Sequence, residues 1–336
     1  MLSLWSMKDG RITRQEILTR VDDRVIIMDG AMGTMLRGSH SICGNEASNS
    51  VKRKETIPPS TCLLNLTDPE RVARIHRSYI QSGAELIGTN TFNSEAVANR
   101  GVNVYEINRA GAQIAFRVAT EEGLIFLPGD EVWKEEWGPR RAIVAGSLVA
   151  TSRNAAGYEQ IAKGLLDGGA DVLLLESIYD LANAEAALKG IRKAIGKRTG
   201  EIPVMVSLTI DMEGRILSGE DFRTVFGRLE KFGIFSLGFN CSMGAGLMIP
   251  LAIELAEFAA EYPVSLCPSA GLPDSDGHYP EDPEFWASCV GKMHCPDGTP
   301  AYSFAGGCCG TTPEYIRALK SISAPSVPKT GTPGAF

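Results

Sequence analysis

Three of the eight cysteines could form a metal site. Cys241 stands alone in the chain, whereas Cys308 and Cys309 are adjacent and lie between glycines in the segment GGCCG at 306–310. Glycines on both sides allow the backbone to bend sharply enough for both sulfurs to face one point. Three thiolates bind zinc in a tetrahedron and leave its fourth position open, which is typical of a catalytic zinc site. The cysteines therefore predict a zinc site that accepts one more ligand.

The open position indicates the kind of reaction. Zinc held by three thiolates carries a net negative charge and is a poor activator of water. A substrate thiol bound to it would lose its proton yet remain nucleophilic. The expected reaction is therefore the alkylation of a thiol.

Other interpretations of the cysteines stay open. The adjacent pair could form a vicinal disulfide, and the glycines around it could bind a phosphate at a helix start. The chain could also be a zinc- or thiol-binding subunit without catalytic activity. Lone cysteines are usually inert buried thiols, and we expect this of Cys43, Cys62, Cys289 and Cys295.

Two acidic residues could bind the rest of a substrate. Asp29 and Glu176 each stand at the end of an apolar run. Their carboxylates could bind the ammonium group of an amino acid, and the backbone amides after Asp29 could bind its carboxylate. The same acids could instead only cap the helices that follow them.

An alternating scaffold would bring these residues together. Eight short apolar runs, typical of parallel strands buried on both faces, are each followed by an amphipathic segment. We predict strands at 25–29, 85–91, 142–148, 171–177, 203–210, 235–241, 264–271 and 302–309. We predict helices near 68–82, 103–122, 154–168, 180–196, 220–232, 246–261, 281–293 and 312–322.

This alternation favours an α/β fold, a (β/α)8 TIM barrel. The alternative is an open doubly wound sheet, but the glycine spacing of a dinucleotide fingerprint is missing after the first strand. We expect one barrel domain over 1–323, with a helix over 11–23 before the first strand and an insertion over 38–60. A flexible tail rich in proline and glycine is expected over 324–336. Barrel enzymes bind their substrates at the carboxyl ends of the strands, where both acids and the three cysteines would meet.

Composition excludes several classes of partner. A net charge of −7 argues against nucleic acid. No apolar run approaches the roughly 20 residues of a membrane span, and the first residues do not resemble a signal peptide. Eight cysteines without a secretory signal are typical of reduced thiols, so we expect a cytoplasmic protein.

Five motifs in this order resemble the homocysteine S-methyltransferase family. They are DGAMGTM at 29–35, GTNTFNS at 88–94, GFNCSMG at 238–244, PSAGLP at 268–273 and GGCCGTTP at 306–313. The resemblance covers about 25–319 and is strongest to the homocysteine-binding module of cobalamin-dependent methionine synthase. It implies a zinc-dependent barrel that methylates homocysteine to methionine.

The resemblance also implies residue roles. Cys241, Cys308 and Cys309 would bind zinc, and homocysteine sulfur would take the fourth position. Asp29 and Glu176 would bind the amino group of homocysteine. The Gly30 amide and the Thr89 hydroxyl would bind its carboxylate.

The sequence departs from the family pattern in three places. Ser269 replaces an asparagine that is a resting zinc ligand in methionine synthases, so Ser269, Cys267 or water could take that position here. Gly88 stands where a glutamate is common. The loop over 148–157 is shorter than usual.

The methyl donor is the least defined part of the expectation. The sequence contains no cobalamin motif, so we expect the donor to be a methylated corrinoid protein in a separate chain. Alternatively, the donor is a small cation such as S-methylmethionine or betaine. An aromatic cage for such a cation could come from Tyr158, Trp133 and Trp137.

Overall fold

The computed structural model describes residues 10–37, 60–124 and 134–322. It contains eight parallel strands, and each lies within or close to a predicted one. The strands are β1 (Ile26–Ile27), β2 (Leu86–Gly88), β3 (Ile143–Val149), β4 (Val172–Ile178), β5 (Val204–Leu208), β6 (Leu237–Gly244), β7 (Val264–Ser269) and β8 (Phe304–Ala305).

The strands form one closed sheet. Their order is β1-β8-β7-β6-β5-β4-β3-β2, so all neighbours in the chain are also neighbours in space. A parallel bridge between Met28 and Leu86 joins β1 to β2 and completes the circle. The predicted (β/α)8 barrel is thereby confirmed, and the open doubly wound sheet is excluded.

Helices surround this sheet. They are α1 (Arg14–Asp23), α2 (Met32–Arg37), α3 (Leu64–Thr67), α4 (Pro69–Gln81), α5 (Val104–Glu122), α6 (Ala155–Asp167), α7 (Leu181–Ile195), α8 (Phe222–Leu229), α9 (Ala245–Phe258), α10 (Pro283–Val290) and α11 (Pro313–Ile322). Capping explains why most starts could be predicted. Asp68, for example, stands immediately before the first-turn proline of α4, and its side chain accepts a hydrogen bond from the Arg71 amide.

Side chains alternate between the two faces of each strand, and this alternation determines which residues face the barrel axis and line the site. Residues facing the helices belong to the main apolar core, such as Val144 and Leu173. Residues facing the barrel axis form a second apolar cluster near the amino ends of the strands, where α1 also packs. Toward the carboxyl ends the inward series turns polar and lines a cavity: Ser147, Glu176, Ser207, Asn240 and Cys267.

Some segments differ from expectation or lie outside the described residues. The short helices α2 and α3 were not predicted, nor was the small hairpin in which Arg215 pairs with Asp221. The predicted insertion over 38–60, apart from Ser60, and the tail over 324–336 lie outside the described residues. Among the described residues, no helix is long and apolar enough to span a bilayer.

Candidate active site

A cavity of about 980 Å³ opens among the described residues at the carboxyl ends of the strands. All of the predicted site residues line it: Asp29, Gly30, Thr89, Glu176, Cys241, Cys308 and Cys309. Residues from five different strands or the loops after them therefore meet at one place, as the barrel rule requires.

Cys308 and Cys309 lie in the loop after β8, beyond the strand in which they were predicted. Gly306, the first residue after β8, packs closely on the residue after β1, since a Cβ atom there would lie 2.5 Å from the Met28 Cβ. The Cys308 amide donates to Pro268 O at 2.9 Å, and Cys309 O accepts from the Ala270 amide at 2.9 Å. The end of β7 thus holds the cysteine pair in place.

Glycine is required on the far side of the pair. Gly310 has a φ of +84°, and the Tyr279 ring packs so closely on it that a Cβ atom would lie 2.3 Å from the Tyr279 Cγ. The predicted sharp bend around the two cysteines is therefore present.

The three cysteine sulfurs form a compact group. The Sγ atoms of Cys241, Cys308 and Cys309 all lie within 4.8 Å of one another, and those of Cys241 and Cys309 are 3.7 Å apart. Zn–S bonds of about 2.3 Å in a tetrahedron place two sulfurs about 3.8 Å apart. The donor set therefore fits zinc in both ligand type and spacing. All three cysteines are free thiols, which excludes the vicinal disulfide in this structure.

The Cys241 backbone is unusual for a strand. Cys241 and Ser242 have φ values of +62° and +55°, in the left-handed region that side chains disfavour. The register with β7 shifts at this point, between Asn240 and Gly244. Hydrogen bonds with Cys308 and Cys309 lower the pKa of the Cys241 thiol, which favours the thiolate form that binds a metal.

Ser269 and Cys267, the two protein candidates for a resting fourth ligand, occupy different positions. Ser269 lies at the sulfur group, and its hydroxyl donates to Cys241 Sγ at 3.6 Å. Cys267 lies outside the group, and its thiol points to Met28 Sδ at 3.7 Å. Burial raises the pKa of the Cys267 thiol well above its ordinary value, which favours the neutral thiol. The geometry therefore favours Ser269 over Cys267.

Of the cysteines expected to be inert buried thiols, Cys62 and Cys289 are buried, whereas Cys295 is only partly buried. Cys62, Cys289 and Cys295 are free and do not belong to the sulfur group. Cys43 lies outside the described residues.

Asp29 and Glu176 bring two buried carboxyl groups to the cavity. The Gly88 amide donates to Asp29 Oδ2 at 2.9 Å, and the Ser147 hydroxyl donates to Glu176. Burial raises the pKa of Asp29 well above its ordinary value, and it raises that of Glu176 to about 7. Negative charge on Cys241 also raises the pKa of Glu176. Since no ion pair within the described residues involves either acid, the cavity has an electrostatic preference for a cationic group.

The Thr89 hydroxyl is already engaged. Its oxygen accepts from the Ser147 amide at 3.0 Å and lies 2.5 Å from the Thr91 hydroxyl oxygen. Thr91 donates to Ser147 O at 2.7 Å, so Thr89 is the donor in the Thr89–Thr91 pair. Thr89 would have to rotate its proton away from Thr91 to bind a substrate carboxylate.

Gly30 lies where only a glycine fits. A Cβ atom there would be 2.7 Å from the Thr311 Oγ1 and 2.9 Å from the Tyr79 hydroxyl oxygen. The close packing brings the backbone of Gly30 directly to the cavity wall.

The structure also corrects the aromatic candidates. Tyr158 and Trp137 are fully buried, and Trp137 lies before β3, near the amino ends of the strands. Neither can contribute to a cage at the cavity, and Trp133 lies outside the described residues. Tyr279 was missed, although it lies against the cysteine loop and lines the cavity, as does Phe92. Its position after β7, in a polar loop, gave no sequence signal.

Comparison with known proteins gives a family and a fold. A family model described as homocysteine S-methyltransferase matches residues 26–323. The apo form of the homocysteine methyltransferase MmuM from Escherichia coli aligns with a TM-score of 0.60 at 19% identity, covering 89% of this chain and 96% of that chain. Its oxidised form gives 0.63 at 20% identity, over 88% and 95% of the two chains. Its metallated form gives 0.61 at 19% identity, over 89% and 96%.

Proposed function

The chain belongs to the homocysteine S-methyltransferase family, and on that basis we propose that it methylates the sulfur of homocysteine at a zinc site, giving methionine. One observation carries the proposal. Three clustered cysteine sulfurs and two buried carboxyl groups without an ion-pair partner in the described residues line one cavity. Homocysteine has the matching pair of groups, a thiol and an ammonium.

Cys241, Cys308 and Cys309 would hold the zinc ion. Zinc in this position would lower the pKa of a substrate thiol at its open site and leave the sulfur nucleophilic. The bound metal in one form of the Escherichia coli MmuM structure is consistent with such a site. Because these thiols must stay reduced, we also propose a cytoplasmic location.

The other residues would orient the amino acid. Asp29 and Glu176 would bind its ammonium group, and the positive charge would favour the ionised form of both buried carboxyl groups. The Gly30 amide and the Thr89 hydroxyl would bind its carboxylate. Contacts at both ends of the molecule would fix the direction of the sulfur toward the cavity mouth, as in-line transfer requires.

A methylated corrinoid protein is the donor that the rim of the cavity supports best. The loop between β3 and α6 spans only 150–154, so it is too short to cover much of the cavity mouth on this side. Exposed large apolar side chains concentrate on segments that follow the carboxyl ends of strands: Phe92, Met212, Leu217, Leu247, Leu272 and Phe285. These side chains would be available to contact a protein donor that approaches this end of the barrel.

A small sulfonium or ammonium donor is the alternative. The rings of Phe92 and Tyr279 line the cavity and are the observation in its favour, since aromatic faces attract cations. S-Methylmethionine and betaine are the donors to compare.

A donor screen tests the proposal. Zinc-loaded protein is incubated with homocysteine and one donor at a time: a methylated corrinoid protein, free methylcobalamin, methyl-folate, S-methylmethionine or betaine. Methionine is measured by mass spectrometry, with Cys308→Ala as the inactive control. We expect saturable turnover with the corrinoid protein and slow turnover with free methylcobalamin. Comparable turnover with betaine or S-methylmethionine would establish the alternative donor, and no methionine from any of these donors would refute homocysteine methylation.

A further inference from the structure

Two irregular positions lie at the cavity, in β4 and in β6, which are separated by β5. The register between β4 and β5 shifts between Leu175 and Ile178, and Ser177 within this interval has a φ of +54°. The register between β6 and β7 shifts immediately after Asn240, where Cys241 has a φ of +62°. Non-glycine residues in the left-handed region require surrounding contacts to hold them there.

The side chain of Asn240 supplies such contacts to Ser177. Its Oδ1 accepts from the Ser177 amide at 3.0 Å, and its Nδ2 donates to Ser177 Oγ at 2.8 Å. Asn240 is only 2% exposed, so water does not compete effectively for these bonds. Both ends of one amide group therefore bind the same residue, although the two residues are 63 positions apart in the chain.

The two partners flank the proposed site. Ser177 follows Glu176 directly, and Asn240 precedes Cys241 directly. Glu176 faces the cavity by the ordinary alternation of β4, and the extra residue follows it at Ser177. Because Ser177 is joined directly to Glu176, a change of the Ser177 backbone out of the left-handed region would shift the end of β4 and with it the Glu176 carboxyl group.

We propose that Asn240 is a positioning residue that holds Ser177 in its left-handed conformation and thereby keeps the Glu176 carboxyl group in the cavity that contains the Cys241 sulfur. The substrate consequence of this inference rests on the proposed function. The two hydrogen bonds between Asn240 and Ser177, which we call the clamp, do not depend on the proposed function, because they belong to the fold.

A double-mutant cycle with glycine tests the clamp. Asn240→Ala removes both hydrogen bonds, whereas Ser177→Gly introduces a residue that adopts positive φ without help. The variants are Asn240→Ala, Ser177→Gly and the double variant. Asn108→Ala is the matched control, because Asn108 is also fully buried and its Nδ2 donates to Ser94 Oγ and Val104 O, outside the cavity lining. Thermal midpoint, zinc content and homocysteine affinity are measured for each.

We expect Asn240→Ala to weaken homocysteine binding roughly tenfold, the effect of a lost buried hydrogen bond, with zinc still bound. Adding Ser177→Gly should restore the affinity to within about threefold of wild type, because glycine no longer needs the clamp. Asn108→Ala should lower the thermal midpoint and leave homocysteine affinity unchanged. Additive losses in the double variant, or wild-type affinity in Asn240→Ala, would overturn the inference.

The thermal midpoints separate failure of the clamp from failure of the proposed function. If the wild-type protein does not bind homocysteine, the proposed function fails, and the clamp is judged on stability alone. Ser177→Gly should then raise the midpoint in the Asn240→Ala background and not in the wild type. Equal effects in both backgrounds would refute the clamp. If Asn240→Ala is insoluble, recovery of soluble protein by Ser177→Gly supports the clamp, and an insoluble double variant refutes it.

Discussion

Glu176→Gln should stabilise the metal-free protein above pH 7 while it weakens substrate binding. Burial raises the pKa of Glu176 from 4.5 to about 7 in the folded chain. Below pH 4.5 the carboxyl group is protonated in both states and costs nothing. As the pH rises toward 7, only the unfolded chain releases the proton, so stability falls. A shift of this size corresponds to about 3 kcal/mol above pH 7.

Glutamine removes this cost and can still accept the hydrogen bond from the Ser147 hydroxyl. We therefore expect the free energy of unfolding to rise by about 1–3 kcal/mol at pH 8 and to be unchanged near pH 4. Denaturant unfolding at several pH values measures this difference. Glu213→Gln is the matched control, because Glu213 is exposed on the hairpin and should give no such pH-dependent gain.

The same substitution should weaken homocysteine binding by about 1–3 kcal/mol, the range for a lost charge-assisted hydrogen bond. Isothermal titration calorimetry on the zinc-loaded protein measures it. Opposite effects on stability and binding are characteristic of a residue that serves the ligand. If Glu176→Gln destabilises the protein at pH 8 and binds homocysteine normally, Glu176 is a structural residue and the reasoning is wrong.

Three further predictions concern the metal, the substrate carboxylate and the donor. Cys308→Ala should abolish zinc binding and activity with the barrel still folded, whereas the control Cys289→Ala should retain zinc. Metal analysis measures the zinc, and circular dichroism measures the folding. Full zinc retention in Cys308→Ala would refute the site. Thr89→Val should raise the homocysteine KM roughly tenfold, whereas Thr89→Ser, which keeps the hydroxyl, should leave the KM near its wild-type value. An unchanged KM in Thr89→Val would show that the hydroxyl serves only Thr91. Leu217→Asp, which charges a side chain that is 85% exposed at the rim, should raise the KM for a methylated corrinoid protein and leave the rate with free methylcobalamin unchanged. Ile322→Asp, at the end of α11, should change neither rate.

The barrel and the placement of the site could be predicted because both depend on local signals. Parallel strands buried on both faces leave continuous apolar runs, and helices such as α4 begin at a capping residue followed by proline. The barrel rule then places strand-end residues on one rim without any knowledge of distances. Cys308 and Cys309 fall there even though β8 ends earlier than the sequence suggested.

The details of the site could not be predicted because they depend on contacts between distant segments. Ser177 and Cys241 adopt positive φ values although they are not glycines, so their residue types did not predict this conformation. Asn240 resembles any other polar residue in a strand until its partner is known. Tyr279 contacts the cysteine loop only because the segment after β7 folds back over Gly310.

The energetically unfavourable features of the molecule converge on one cavity. Two carboxyl groups are buried there without an ion-pair partner in the described residues, and the ends of β4 and β6 hold non-glycine residues in the left-handed region. Each feature costs stability, whereas the ordinary strand and helix positions around them follow local preference. Strain and unpaired charge persist where they serve binding or catalysis, because selection otherwise removes them. A ligand that provides a cationic group to Asp29 and Glu176 and a thiol to the cysteine group would relieve the electrostatic part of this cost.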